Sequence, residues 1–197
     1  MPNEILIQDL VGSSMEQISF ADHAGDFSPT AAYVIEAGTP QNVQMQMASI
    51  SAAAAVNSTK ADLGALRAAA YSVMCVIEVA SAAAVDGETV DFYWAASNNS
   101  TAASGNPGGV DGSDGGYTGT GASSLANSLK QLQYIGSHIA TLDDTADTPE
   151  VQIGFVGIFS PPTRYGCLVV VNNLTGAFHS NDIEMNVVFN PIVDEVQ

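Results

Sequence analysis

Basic residues are almost absent from this sequence. The four that occur, Lys60, Arg67, Lys130 and Arg164, stand against 21 acidic residues among 197, and the net charge is −17. Binding to phosphate depends on lysine and arginine to release counterions, so this composition argues against nucleic acid as a partner. It argues equally against an anionic membrane surface.

Charged residues of both signs are scarce as well. They make up 13% of the chain, against 46% hydrophobic residues, and this is about half the usual charged share. Small polar residues and alanine must therefore form most of the surface, which is typical of all-β proteins with many loops and of surfaces that pack against neighbours. Solubility alone explains the acidity; a surface exposed to medium, or one that meets a basic partner, is the functional alternative.

Long hydrophobic runs are missing too. No stretch approaches the roughly 18 apolar residues of a membrane span. The N-terminus, MPNEILIQDLVGS, lacks the positive region and apolar core of a Sec signal peptide. Cysteine is limited to Cys75 and Cys167. Both lie inside apolar runs, which favours buried free thiols over the alternative of a disulfide between two strands.

Three apolar runs near the C-terminus predict strands, because branched and aromatic residues dominate them and turn residues separate them. They are Val151–Phe159, Cys167–Val171 and Ile183–Phe189. The middle run has no polar residue, which predicts a central strand. In the first run, one face carries Val151, Ile153, Phe155 and Phe159, and the other carries Gly154, Val156 and Ile158. We expect both of these faces to be covered.

Shorter β-patterns fill the rest of the chain, with one or two short helices between them. The further strand predictions are Ile5–Val11 (a strand or an N-terminal arm), Gln17–Ala21, Ala31–Glu36, Gln41–Ile50, Ala70–Ser81, Thr89–Ala95 and Leu132–Thr141. Alternation over Gln41–Ile50 places Val43, Met45 and Met47 on the core side. Asp86-Gly87-Glu88 predicts a hairpin that joins its two flanking strands.

Two segments carry helical signals. Thr59, followed three residues later by Asp62, predicts a capped helical turn or two before Arg67. The second segment, Ser123–Lys130, predicts a short helix. Neither is long enough to serve a parallel crossover, so antiparallel pairing is expected.

Together these elements predict one domain over residues 1–197 of the all-β class. We expect an antiparallel β-sandwich of about eight to ten short strands, with a jelly roll of two four-stranded sheets as the first choice. Residues 1–21 are predicted to supply an N-terminal strand or arm. Residues 97–121, with eight glycines, are predicted to form a long exposed loop with almost nothing to bury.

No catalytic, cofactor-binding or metal-binding set emerges from the sequence. The three histidines, His23, His138 and His179, share no ligand spacing. Two acidic loops are the candidates for calcium, although solvated loops explain both of them. One contains Asp111 and Asp114 but has Ala122 where the EF-hand pattern needs glutamate. The other contains Asp143, Asp144, Asp147 and Glu150.

Aromatic residues on a β-surface offer a further possibility, a platform for sugars. Phe92 and Trp94 share one face of the predicted strand and Tyr93 lies on the other. Core packing is the alternative role, with Trp94 expected at the edge of the core. No nucleophile or acid–base pair is visible, so we expect no enzymatic activity and no cofactor.

Four segments of the chain resemble accessory virion proteins of tailed bacteriophages. They are Gly105–Val110 (GNPGGV), Leu129–Ser137 (LKQLQYIGS), Pro161–Gly166 (PPTRYG) and Pro191–Val196 (PIVDEV). Similar proteins are mostly uncharacterised and are thought of as capsid-decorating or other head-surface subunits. The resemblance covers roughly the second half of the chain, and it brings no catalytic motif.

The resemblance implies a decoration or cement protein on the outside of a phage capsid. It would be assembled in the host cytoplasm, contact the major capsid protein and form a homo-oligomer, a trimer rather than a dimer. The acidic surface would face outward and a less charged face would dock. The alternative is a carbohydrate-binding module or adhesin on the virion surface, using the 97–121 loop and nearby aromatics.

Overall fold

Two β-sheets packed face to face form the fold. The computed structural model describes residues 17–65, 67–80, 84–121, 123–141 and 150–192. The strands in these ranges are β1 (Ile18–Ala21), β2 (Gln41–Gln44), β3 (Ala55–Asn57), β4 (Ala61–Asp62), β5 (Ala70–Val79), β6 (Thr89–Ser97), β7 (Gly115–Tyr117), β8 (Gln133–Ile139), β9 (Glu150–Phe159), β10 (Tyr165–Asn172) and β11 (Asn186–Ile192). A short helix, α1 (Leu125–Leu129), and a single 3-10 turn at Pro107–Gly109 complete them.

The first sheet has the strand order β2-β1-β11-β5-β9, and the second has β7-β3-β10-β6-β8 with β4 also paired to β10. Pairing is antiparallel throughout, except between β1 and β2, which run parallel. The predicted all-β sandwich is therefore confirmed. Its sheets are larger than the two four-stranded sheets expected, and the jelly-roll connectivity stays a prediction.

Aromatic side chains from both sheets meet in the core. Trp94 of β6 is fully buried. Its ring centroid lies 6.4 Å from that of Phe20, 5.5 Å from Phe159 and 5.7 Å from Phe189, which come from three strands of the first sheet. Burying each such side chain contributes roughly 1.5–3 kcal/mol. The expectation that Trp94 lies at the edge of the core was wrong, because it stands between the sheets.

Most strand predictions are confirmed at their cores. The central position of the Cys167–Val171 run is confirmed, since β10 lies between β3 and β6 and is buried on both faces. Val43, Met45 and Met47 are all buried, as the alternation predicted. The helix predicted over Ser123–Lys130 forms as α1, whose N-cap Ser124 accepts a hydrogen bond from the Asn127 amide.

Three local predictions were wrong. The described part of 59–67 contains β4 instead of a helix, because Ala61 and Asp62 pair with β10 and the Asp62 carboxylate binds the Arg164 guanidinium. Residues 31–36 pair with no strand; they belong to the connection between the parallel strands β1 and β2. The Asp86-Gly87 turn exists, with Gly87 at φ +87°. However, its flanking strands β5 and β6 enter opposite sheets, so no hairpin forms.

Two long connections pack against the rest of the sandwich. In the connection from β1 to β2, the Ser28 amide donates to the carbonyl of Ile183, which lies between β10 and β11. The segment after β6 packs on the second sheet, and its Val110, Tyr117 and Leu132 join a second apolar cluster with Cys167 and Val169. The loop at 97–121 therefore buries side chains, contrary to the expectation of an exposed excursion.

The sandwich is closed along one side by two edge strands, β8 and β9. Glycines let the backbones meet there: a Cβ on Gly136 would lie 2.2 Å from the Val156 carbonyl oxygen, and one on Gly154 would lie 2.1 Å from His138 Nδ1. A register shift between β5 and β9 then reverses the alternation of β9, since Phe155 pairs with Met74 and Gly157 with Val73. Ile158 thus points outward and Phe159 inward. The prediction that both faces of this run are covered was wrong.

The Gly166→Ala substitution tests the central packing. A Cβ at this position would lie 2.3 Å from the buried Trp94 ring, so we expect a loss of about 1–3 kcal/mol in the free energy of unfolding. Gly116→Ala is the matched control, because nothing lies within 4 Å of its Cβ. Urea unfolding of both variants measures the difference. Equal stabilities would contradict the packing described for Trp94.

Candidate functional site

Asp111 and Asp114, two of the residues considered as calcium ligands, make hydrogen bonds within the protein. Asp111 accepts hydrogen bonds from the Ser113 amide (3.0 Å) and Asn57 Nδ2 (3.2 Å). Asp114 accepts from the Gln46 amide at 2.7 Å, and this bond ties the segment before β7 to the end of β2. Asp143, Asp144 and Asp147 lie outside the described residues. Of the second acidic loop only Glu150 can be placed, at the start of β9.

The three histidines occupy separate places. His138 of β8 is buried, and its Nε2 lies 3.1 Å from Gln152 Oε1. His23 packs edge-on against Phe27. His179 Nδ1 lies 3.2 Å from a carboxylate oxygen of Glu78. Each histidine therefore has its own local partners, and the structure brings no two of them to a common site.

The aromatic platform proposed around Phe92 and Trp94 does not exist, because both rings are fully buried between the sheets. Tyr93 lies on the opposite face, as the alternation predicted. Its ring centroid lies 5.3 Å from that of Tyr134 of β8, and the two rings are tilted relative to each other. Core packing, the alternative weighed for Phe92 and Trp94, is confirmed.

The two cysteines are free, which confirms the expected buried thiols. Cys75 faces the space between the sheets, whereas Cys167 belongs to the cluster on the outer face of the second sheet. Burial raises the pKa of each thiol to about 12. Thiolate chemistry is therefore suppressed at both positions.

Among the described residues, a carboxylate cluster forms that no spacing of acidic residues in the sequence predicts. Asp22, Asp26 and Asp182 bring carboxylate oxygens within 4.8 Å of one another. Asp22 and Asp182 are buried, and Asp182 Oδ2 accepts hydrogen bonds from the amides of Met47 (2.9 Å) and Ala48 (3.1 Å). Three carboxylates alone fall short of the six to eight oxygens that calcium takes. Asp182 also has backbone partners that account for its position.

The surroundings of Asp182 in this cluster favour the protonated form of its carboxyl group. Burial raises the pKa of Asp182, and so do its hydrogen bond to Asp26 and the nearby charge of Asp22. Asp62 behaves in the opposite way, since the hydrogen bond from the Arg164 side chain lowers its pKa. Arg164 holds that carboxylate in a fork, with Nε–Oδ1 at 2.6 Å and Nη2–Oδ2 at 2.7 Å.

Lys60 organises the loop that follows β6. Its Nζ donates to Ser97 Oγ at 3.1 Å and to the carbonyl oxygens of Asn99 (3.0 Å), Thr101 (2.7 Å) and Ser104 (2.7 Å). One ammonium group thus satisfies three backbone acceptors of a glycine-rich turn. These bonds fix the first part of the loop, and the burial of Val110 and Tyr117 fixes its later part.

Beside this fixed turn lies an uncharged groove of about 620 Å³, which we call the Tyr165 groove. Its walls are the 98–105 turn on one side and the start of β10 on the other. The lining residues are Ala96, Asn98, Asn99, Ser100, Gly105, Thr163 and Tyr165. Amides, hydroxyls and one aromatic ring make up its chemistry.

The second surface feature lies where β8 and β9 meet. Four large apolar side chains are exposed there, Ile139 (64%), Ile153 (44%), Phe155 (59%) and Ile158 (65%), and we call this set the β8–β9 seam. A groove of about 520 Å³ is lined by residues of both strands, among them Ile139, Ile153 and Phe155. Residues 131–142 and 151–163 contain no Asp, Glu, Lys or Arg.

Comparison of this chain with protein-family models, with curated proteins and with solved structures finds no match. Within the ranges that the structure describes, no helix has the length and apolar character needed to cross a bilayer.

The Lys60→Met substitution tests the fixed turn. Without the ammonium, the Thr101 carbonyl loses its side-chain donor and the carbonyls of Asn99 and Ser104 keep only the Ser97 hydroxyl. We therefore expect faster hydrogen exchange for the amides of residues 98–106. Lys130→Met is the matched control, because Lys130 Nζ contacts only the exposed Asn127 side chain, at 3.1 Å. Exchange measured by mass spectrometry should differ between the two variants. Unchanged protection in Lys60→Met would contradict the role of Lys60.

Asp182→Asn and Asp62→Asn should shift stability in opposite directions with pH. A carboxyl whose pKa is raised on folding contributes stability below its unfolded pKa, about 3.9, and loses it as pH rises through the folded value. Asp182→Asn should therefore be more stable than the parent protein at pH 7, and this gain should vanish on acidification.

Because the pKa of Asp62 is lowered on folding, its contribution to stability changes with pH in the opposite direction. Its contribution is present above the unfolded pKa and is lost as pH falls through the folded value, so Asp62→Asn should destabilise the protein at pH 7 and have little effect in acid. Thermal unfolding from pH 3 to 8, in EDTA, measures both profiles. Parallel profiles for the two variants would contradict the assigned environments.

Proposed function

We propose that this protein is a structural component of a tailed-bacteriophage virion that decorates or cements the outer surface of the capsid. The resemblance of its four segments to accessory virion proteins supports this. So does a β-sandwich whose second sheet is covered on its outer face by the segment after β6. Two of those segments, Gly105–Val110 and Pro161–Gly166, come together at the Tyr165 groove.

The observation that carries the proposal is the β8–β9 seam. In a chain of net charge −17, the seam exposes Ile139, Ile153, Phe155 and Ile158, and Glu150 at the start of β9 is the one Asp, Glu, Lys or Arg in the two strands. Natural sheet edges are usually protected by charge, and contiguous exposed apolar side chains mark interaction surfaces. We infer that this is the less charged face that docks, while the acidic surface faces outward.

The small size of the seam suits a repeated contact. A stable pairwise interface buries about 800 Å² on each partner, more than four partly exposed side chains supply. Subunits linked to one another and bound at many equivalent capsid positions would gain avidity from weak contacts. We therefore propose the major capsid protein as the partner at the seam, and a homo-oligomer, a trimer rather than a dimer, as the docking unit.

Nucleic acid fits this surface poorly. Lys60 is surrounded by carbonyl oxygens and Arg164 is paired with Asp62, which leaves only Arg67 and Lys130 to meet phosphate. The expectation that the chain catalyses no reaction stays part of the proposal.

Phe155→Ser in the encoding phage tests the proposal. The docked ring loses apolar contact, so we expect capsid affinity to fall on the order of tenfold per contact and the copy number in purified virions to drop. Val34→Ser is the matched control, because Val34 is 48% exposed on the β1–β2 connection, away from the seam. Quantitative mass spectrometry of virions gives the copy numbers.

Light scattering on the purified variants shows whether they fold and what mass they have. Equal copy numbers for Phe155→Ser and Val34→Ser would contradict docking through the seam. If Phe155→Ser instead splits the isolated oligomer into monomers, the seam is the subunit interface and the capsid assignment is wrong.

A further inference from the structure

We propose that the Tyr165 groove binds a neutral saccharide. This inference does not rest on capsid docking, because the groove lies at the start of β10 and shares no lining residue with the groove at the β8–β9 seam. It relocates the carbohydrate-binding alternative, since Trp94 is inside the core and cannot serve as a platform.

The chemistry of the lining matches a sugar. A pyranose ring presents an apolar C–H face and a rim of hydroxyl groups that both donate and accept hydrogen bonds. The groove offers one aromatic ring, Tyr165, together with the amides of Asn98 and Asn99 and the hydroxyl of Ser100. The Thr163 hydroxyl is engaged within the protein, by the Ser97 amide and the Tyr165 carbonyl. A volume of about 620 Å³ is within the range of small-molecule sites, roughly 300–1,000 Å³.

Tyr165 is held at the groove wall from two directions. Its neighbour Gly166 faces Trp94 in the core, so the alternation of β10 turns Tyr165 toward the outer surface. The Arg164 guanidinium lies 5.0 Å from the centroid of the tyrosine ring and is itself anchored by Asp62. The ring is thus positioned before any ligand arrives.

The opposite wall is equally preorganised. Lys60 fixes the carbonyls of Asn99, Thr101 and Ser104. The Ser97 amide donates to Thr163 Oγ1 at 3.1 Å, which joins the turn to the segment before β10. Asn98, by contrast, makes no side-chain hydrogen bond to another described residue. A rigid wall reduces the entropy cost of binding and leaves this amide for a ligand.

A neutral ligand is favoured over an anionic one. No lining residue is charged, and the two nearest cations, Lys60 and Arg164, are already engaged by carbonyl oxygens and by Asp62. The strongly acidic chain would repel a sialylated or sulfated glycan. The groove is therefore expected to select hydroxyl-rich, uncharged sugars.

The test is a glycan array carrying neutral and acidic oligosaccharides, probed with the full chain, with titration calorimetry on the best neutral binder. We expect saturable binding to neutral glycans and a loss of about tenfold in Tyr165→Ala, which removes the stacking surface. Asn98→Ala, which alters no packing, should weaken binding as well. Tyr134→Ala is the control, because Tyr134 is 53% exposed on β8, outside the groove.

Absence of saturable binding by the parent protein, binding confined to acidic glycans, or equal affinities for Tyr165→Ala and Tyr134→Ala would each overturn the proposal. None of these results would bear on capsid docking, which is read from virion copy number. Unfolding curves for every variant confirm that lost binding reflects the groove and not the fold.

Discussion

Contact between Trp94 of one sheet and the phenylalanines of the other is the interaction on which the remaining structure depends. Phe20, Phe159 and Phe189 surround the indole ring with centroids 5.5–6.4 Å away, and Gly166 leaves the space that the ring fills. This packing sets how β10 and β11 face each other. With the interior filled by aromatic and branched side chains, the outer faces of the sheets become available for connections and for partners.

The outer faces of the sheets are covered at some strands and exposed at others. The segment after β6 covers β10, so β10 is buried on both sides, and the glycine-rich turn of that segment is held by Lys60. At β8 and β9, where glycines let the sheets close on each other, no connection lies over Phe155 and its apolar neighbours within the described residues. The exposed apolar seam is thus a consequence of how the sandwich closes.

Patterns within single segments predicted much of the fold. The apolar runs gave β5, β6, β9, β10 and β11 close to their bounds, because branched residues between turn residues leave few other structures possible. What failed depended on partners distant in the chain. Asp62 binds Arg164 in place of starting a helix. The strands on either side of Asp86-Gly87 pair with other strands, in opposite sheets. The bulge that exposes Ile158 forms where β9 pairs with β5.

The candidate sites could not be predicted for the same reason, because each one joins residues that are distant in the chain. The Tyr165 groove joins the turn after β6 to the start of β10, and the Asp22, Asp26 and Asp182 cluster joins both ends of the chain. No spacing of residues within a single segment predicts the groove or the cluster. Cryo-electron microscopy of the virion tests whether the seam docks on the capsid. We predict density for this sandwich on the capsid exterior with Phe155 against the major capsid protein; a map without the subunit, or with the seam turned to solvent, would contradict capsid docking.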